Sequence, residues 1–341
     1  MMIIEIPLFY VSYSGLSRIS IIKEKIVRKT DKRDLLTYIG FIAPGLIIYL
    51  LIIAYPICYS LFLSFSNYNP NSQAPVKLVG FANYIKVMTM NRGLVDPSSN
   101  VPEFWHAFKN NMIVVVVSVF GQIPIGFILA FILYRKQVKG ATFFQSMVFL
   151  PQFLSTIVIG IMWRMLFMVD GPVSRIMQAV TKNPNAQFSM MMDPNLCMIP
   201  IAIALIWMYT GFYMIIFLAN LQKINDSMFE AAKIDGASEV QIFFKITIPL
   251  LASSILTSCI LAIAGSLKGF GLIFALASEG KQRINSEVLP IYMYRIAFNN
   301  AKDPMRFAYG AAIANMIVLI SIIIIMFSKW VGKKLGTDED Y

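Results

Sequence analysis

Hydrophobic residues along the chain gather into six long runs, at about 37–65, 108–134, 142–168, 197–219, 248–277 and 309–330, with polar stretches between them. A helix needs roughly 20 mainly apolar residues to cross the hydrocarbon core of a bilayer, and each run is long enough. None shows the short alternating pattern of an outer-membrane strand. The pattern predicts an all-α integral membrane protein built as a six-helix transmembrane bundle. Pro44, Pro56, Pro124, Pro151 and Pro200 fall inside the runs. Proline removes a backbone donor and kinks a helix, but a membrane bundle tolerates it where neighbours satisfy the freed carbonyl.

A polar island lies between the fourth and fifth runs: Glu230-Ala-Ala-Lys-Ile-Asp235-Gly236-Ala-Ser238, leading on to Ile248-Pro249-Leu250. Ser227-x-x-Glu230 and Ser238-x-x-Gln241 both have capping-box spacing, and Gly236 between them is a helix stop. The expectation is two short capped helices in a polar loop, an element built to dock something. Glu230 is then either a cap for Ser227 or a polar contact to whatever docks, and Asp235 a turn residue or a second contact.

Composition agrees with a membrane location. Only 14% of the 341 residues are charged, against about a quarter in soluble domains. The net charge of +11 fits orientation by positive loops and does not call for nucleic acid. With the N-terminus inside, the inner segments hold 16 Lys and Arg and the outer ones 11, while Arg164 and Lys268 fall within runs. Both termini and the Glu230 loop are therefore expected on the cytoplasmic side of a cytoplasmic membrane. The chain divides into an N-terminal tail (1–36), a six-span domain (37–333) and a short tip (334–341). The tail starts apolar but lacks a positive n-region and a clear cleavage site, so it does not read as a signal peptide. Its basic run from Lys23 to Arg33 is either a topology signal or part of a segment lying on the membrane.

Little in the chain suits catalysis. It has no phosphate loop, no His-Glu-x-x-His and no paired cysteines. Cys58, Cys197 and Cys259 read as small hydrophobes, and His106 is the lone histidine. No catalytic, cofactor-binding or metal-binding residues are expected, so energy for any transport must come from a gradient or a partner. A gradient-driven secondary transporter predicts an inverted repeat and ionisable groups at mid-span, and no repeat is visible.

The residues that follow the island, Phe243/Phe244, Ile246 and Pro249-Leu-Leu, complete a long pattern of fixed spacing. Together with Glu230-Ala-Ala-x-x-Asp235-Gly236-Ala-Ser it resembles the EAA loop of binding-protein-dependent ABC importers. Ala43-Pro44, Tyr55-Pro56, Ser60, Ser64-Phe65 and Val79-Gly80-Phe-x-Asn83-Tyr84 are similar to the first span and outer loop of carbohydrate-type permeases. Phe217-Leu-Ala-x-Leu221-Gln222 and Tyr292-x-Tyr294-x-x-Ala297-Phe298 fit as well, and the likeness covers roughly 36–333. The resemblance implies a type I importer permease: a heterodimer with a second homologous permease, two ATPase subunits that use ATP and Mg, and an extracytoplasmic solute-binding protein. It implies ATPase coupling through Glu230, Ala231, Ala232, Asp235, Gly236 and Ala237, the alanines keeping the helix narrow enough to enter a groove. It places a sugar path at Gln152, Thr156, Thr210, Tyr213, Ser266 and Gly269. Here the chain departs from the maltose-type pattern: Ser266 and Gly269 stand where those proteins have asparagines, Gln152 where they have a tyrosine, and Ala277-Ser-Glu-Gly280-Lys281 replaces the usual Thr-x-Gly-Gly-Pro. The solute is therefore expected to be a sugar other than maltose, or a non-sugar such as a glycerophosphodiester or polyol. Lys268 either pairs with an anionic sugar, or snorkels or pairs with a neighbouring helix, the preferred reading.

Overall fold

Three prolines shape the helices. Pro56, Pro124 and Pro249 each follow, two residues on, a single π turn: Leu50–Ala54, Ser118–Gln122 and Phe243–Thr247. A proline ring presses on the carbonyl four residues before it, here Ile52, Phe120 and Lys245, the middle residue of each turn. Widening the helix by one residue relieves that clash without ending the helix. In the last turn the Thr247 hydroxyl also donates to the Ile242 carbonyl, at 3.1 Å.

The computed structural model describes residues 32–71, 73, 75–91, 101–135, 139–182, 189–277, 284–299 and 303–334, with the side chains of 32–36 excepted. The tail up to residue 31, the tip beyond 334, and the loop positions Arg92, Lys136, Lys281, Arg283 and Lys302 lie outside the described residues. So does the 278–281 stretch that departs from the maltose-type pattern.

The chain separates into two units, Met1–Tyr59 and Ser60–Tyr341. The first contains most of α1, which runs from Lys32–Tyr49 through its π turn into Tyr55–Ser64. Pro44 sits within this helix without breaking it.

The second unit begins with the end of α1. There Asn83, on α2 (Ala82–Thr89), donates to the carbonyls of Ser64 and Ser66, both at 2.8 Å, and Tyr84 shares a hydrogen bond with Ser64. The Val79-Gly80-Phe-x-Asn83-Tyr84 signature is thus a clip on a helix terminus, with Gly80 supplying the positive φ of its turn. The next helices are α3 (Glu103–Tyr134, through its π turn), α4 (Ala141–Phe149), α5 (Thr156–Phe167) and α6 (Pro172–Thr181). They are followed by α7 (Met198–Leu221), α8 (Asp226–Ile234), α9 (Glu239–Leu250, through its π turn), α10 (Ala252–Lys268) and α11 (Gly271–Leu276). The last two are α12 (Leu289–Phe298) and α13 (Arg306–Lys334).

Five stretches among the described residues are long and apolar enough to cross a membrane, and α9 and α10 pass the same test only when taken together as one bent pair, whose apolar part starts at about 248, beyond Glu239. Two expected spans need correction. The run 142–168 is not one helix: Pro151 ends α4 in a short 3₁₀ turn, Leu150–Phe153, and the chain restarts at Thr156. The run 248–277 turns by 72° at Leu251, and Gly269 and Phe270 break it again before α11.

Of the five long spans, α7 is the most buried. Its backbone meets α3 closely at Gly126, where an added Cβ would lie 2.9 Å from the Thr210 carbonyl oxygen. Gly160 of α5 is as tight against Ala275 and Leu272 of α11. Small residues that let helix backbones approach are how bundles gain packing energy in lipid.

At the end of α3 away from the polar island, Arg295 donates to Glu287 through two nitrogens (2.7 and 2.8 Å) and to Glu103 at 2.8 Å. Both carboxylate residues are 1% exposed. Asn110 donates to the carbonyls of Asn285 and Glu287, and Asn111 accepts from the Leu289 amide, so α3 is stitched to the start of α12. Breaking a buried ion pair costs about 3–5 kcal/mol because the partner charge is stranded. R295A is expected to lower the unfolding temperature of the purified protein sharply, and the triple variant R295M/E103Q/E287Q to recover most of the loss. An unchanged transition in R295A would contradict the assignment.

Candidate functional site

The polar island folds as two short helices around a glycine. Asn225, not Ser227, caps α8: its side-chain oxygen accepts from the Ser227 amide at 3.1 Å. The Ser227–Glu230 capping box is therefore not formed, and Glu230 lies exposed in the middle of α8. The second box is formed, with the Ser238 amide donating to Gln241 (2.7 Å) and the Gln241 amide to Ser238 (3.3 Å). Between the two helices the Ala237 amide reaches back to the Ala232 carbonyl and the Gly236 amide to that of Lys233. These are the paired bonds of a Schellman turn, and Gly236 has the φ of +77° that it requires.

This geometry divides the signature residues. Ala232 and Ala237 are half-buried and pack on Phe131, Phe229 and Ile242, closing the turn from inside. Glu230, Ala231, Asp235 and Gly236 face out. With them, Ile234 is 86% exposed, Val240 65% and Phe244 61%, an apolar surface that the sequence reading did not single out.

The loop is fastened to the last residue of α3, Tyr134, and to Arg135, which follows it. The Tyr134 hydroxyl donates to Asp226, the first residue of α8, at 2.6 Å. Arg135 donates through two nitrogens to Glu239, the first residue of α9, at 3.0 and 2.8 Å, and lies over the Phe229 ring. Lys233 adds a longer contact to Glu239, at 3.4 Å. The Arg135 hydrogen bonds hold the Glu239 carboxyl below its usual range; burial opposes this, and the charges of Arg135 and Lys233 reinforce it.

A cavity of about 290 Å³ opens within the bundle between α3, α5, α7, α10 and α11. Of the six expected path residues, Gln152, Thr156, Tyr213, Ser266 and Gly269 line it. Thr210 does not: it is buried and donates to the Ile206 carbonyl one turn back, its own carbonyl against Gly126. The reading missed Ser118 and Gln122, which the π turn of α3 brings to the wall, and the aromatic rings of Tyr209, Phe212 and Phe270. A proline in an apolar run was the available signal. Ser118 and Ser266 bond to each other at 2.8 Å, and Gln122 donates to the Leu205 carbonyl. The Gln152 side-chain oxygen is buried without a hydrogen-bond partner among the described residues. None of the lining residues is charged, and Lys268 is exposed outside the lining.

Comparison with known proteins follows the same lines. Residues 122–337 match the model of the binding-protein-dependent transport system inner membrane component family. The chain is 31% identical to the lactose transport system permease protein LacF of Rhizobium radiobacter over 281 residues, covering 82% of this chain and 88% of that one. It is 27% identical to the arabinooligosaccharides transport system permease protein AraP of Bacillus subtilis over 292 residues, covering 84% and 86%. A crystal structure of a bacterial ABC transporter involved in the import of the acidic polysaccharide alginate has a chain of the same fold, with a TM-score of 0.72 at 21% identity, covering 90% of this chain and 98% of that one.

The Glu239 shift sets a pH dependence. A carboxylate held low in the folded state contributes stability above its unfolded value, and that contribution is lost as pH falls through the folded one. Hydrogen exchange of residues 226–242, corrected for the intrinsic rate, is expected to show constant protection from neutral pH down to the ordinary carboxylate range, and a progressive loss as pH falls from there through the lower folded value. E239Q should weaken protection at neutral pH and flatten that step.

Proposed function

The chain belongs to the family of binding-protein-dependent transport system inner membrane components, and from that membership we propose that it is one permease half of an ATP-driven sugar importer. Permease subunits of ABC importers are not themselves enzymes. ATP and Mg are handled by two partner ATPase subunits, while a second related permease completes the pathway and an extracytoplasmic binding protein delivers the solute. The chain lies in the cytoplasmic membrane with both termini and the α8–α9 loop inside, and no cofactor or metal is bound by it.

The observation that carries this reading is a stiff, exposed two-helix loop fastened to a helix that also lines an uncharged cavity with a few polar groups in its wall. Rigid-body movement passes through such a loop without being absorbed by it. Glu230 and Asp235 supply polar contacts on its outer face, Ala231 and Ile234 the apolar ones, and Ala232 and Ala237 hold its shape. Alternating access then opens the cavity to each side in turn. Hydroxyls from Thr156, Tyr213 and Ser266, the Gln152 amide and the aromatic faces suit a solute with many hydroxyls and apolar C–H faces. The uncharged wall favours a neutral sugar, or a polyol, over a glycerophosphodiester.

Purification of the tagged chain from its own cells is expected to bring down an ATPase and a second permease; a homodimer that transports alone would contradict the reading. A β-branched side chain at Gly236 is strained by roughly 1–2 kcal/mol in this left-handed turn. G236V should therefore assemble but lose ATP-dependent uptake, and normal uptake would sink the coupling role. Sugar uptake should be nearly unchanged in K268Q, whereas an anionic solute would require its loss.

A further inference from the structure

Two polar clamps join the α8–α9 loop to one short piece of chain. Tyr134 holds the first residue of α8, and Arg135, its neighbour, holds the first residue of α9. Each short helix is thus gripped at its N-terminus, while the Schellman turn fixes their C-terminal and N-terminal ends to each other. Rings complete the seam: Phe243 of α9 packs on Phe127 (5.2 Å) and Phe131 (5.0 Å) of α3, and Tyr134 on Phe229 of α8 (5.7 Å). Rotation of this loop therefore has to drag the end of α3 with it.

What lies further along α3 matters. At a rise of about 1.5 Å per residue, the helix carries displacement roughly 25 Å from Arg135 to Ser118. There the Pro124-induced π turn places Ser118 and Gln122 in the cavity wall, with Ser118 bonded to Ser266 of α10. A π turn is a place where a helix can be repacked at low cost, since its backbone bonds are already off the regular ladder. The other route out of the loop, through α9 into α10, passes a π turn and the 72° bend at Leu251, and is the softer of the two.

We propose that Arg135 is a positioning residue for coupling: its fork to Glu239 locks the α8–α9 loop to α3, so that movement of the loop reaches the Ser118–Gln122 wall of the cavity. This rests on the importer reading above. Arg135 touches neither solute nor nucleotide. The side chain suits the task because a guanidinium fork fixes a carboxylate in two directions, where an ammonium would leave it free to swivel. The pair is largely shielded on the arginine side, whose side chain is 10% exposed, and more open at Glu239, at 40%.

The test uses the whole complex, purified through this chain with the subunits that accompany it and placed in lipid nanodiscs. Cys58, Cys197 and Cys259 are replaced, and a cysteine is introduced at Leu261, a half-exposed residue of the cavity wall. Its reaction rate with a maleimide is measured without nucleotide and after trapping with ATP and vanadate. With Arg135 intact, trapping changes the rate. In R135A the ATPase should still co-purify and hydrolyse ATP, but the change should shrink by at least about fivefold, the low end of the range for coupling between sites. The charge swap R135E/E239R should restore most of it; because ATPase co-purification and hydrolysis are retained in R135A, the lost and rescued rate change reports coupling and not folding. An undiminished change in R135A, or a swap that restores no more of the rate change than R135A itself shows, would overturn the proposal. Absence of any co-purifying ATPase with Arg135 intact would instead overturn the importer reading, and this inference with it.

Discussion

In a bilayer every backbone amide and carbonyl must find its partner within the protein, and this constraint underlies the rest of the structure. The chain carries prolines inside its membrane runs that violate it locally. At Pro56, Pro124 and Pro249 the helix answers with one wide turn and continues. At Pro151 it stops, turns and restarts. These interruptions determine where helices bend, and two of them, at Pro124 and Pro151, set residues of the cavity wall: Ser118 and Gln122 in one case, Gln152 and Thr156 in the other.

The cavity and the loop are linked by the same element. α3 begins in a buried charge cluster with Glu287 and Arg295, passes the cavity at its π turn, and ends under the polar loop at Tyr134 and Arg135. Held at both ends by charged groups and approached closely by α7 at Gly126, it can move as a unit but has one weak point, the π turn. An importer permease needs such a part, because a movement made at the ATPase has to arrive at the solute.

Much of this was legible beforehand. Membrane runs follow from hydrophobicity alone, and the Glu230–Ser238 spacing carried the family. Of the path positions that the resemblance implied, Gln152, Thr156, Tyr213 and Ser266 line the cavity, as polar side chains at membrane depth require a wet surface or a partner, and Gly269 lines it without a side chain. Thr210 took the second option, bonding its own helix. Asn225 displaced Ser227 as a cap because Asn at the position before Asp226 competes for the same amides, a choice that capping-box spacing does not resolve.

What the sequence determined by itself was the all-α membrane class, the extent of four of the six apolar runs, the position of the left-handed turn at Gly236 and the family. Each rests on local composition or on a fixed spacing along one strand of chain. Only the tertiary structure decided which polar residues face the cavity, that Ala232 and Ala237 point inward while Ile234, Val240 and Phe244 point out, and that Arg135 meets Glu239. Arg135 and Glu239 are 104 residues apart in sequence, and Glu103 and Arg295 are 192 apart. No periodicity spans such distances; partners that far apart are chosen by the packing of α3 against its neighbours.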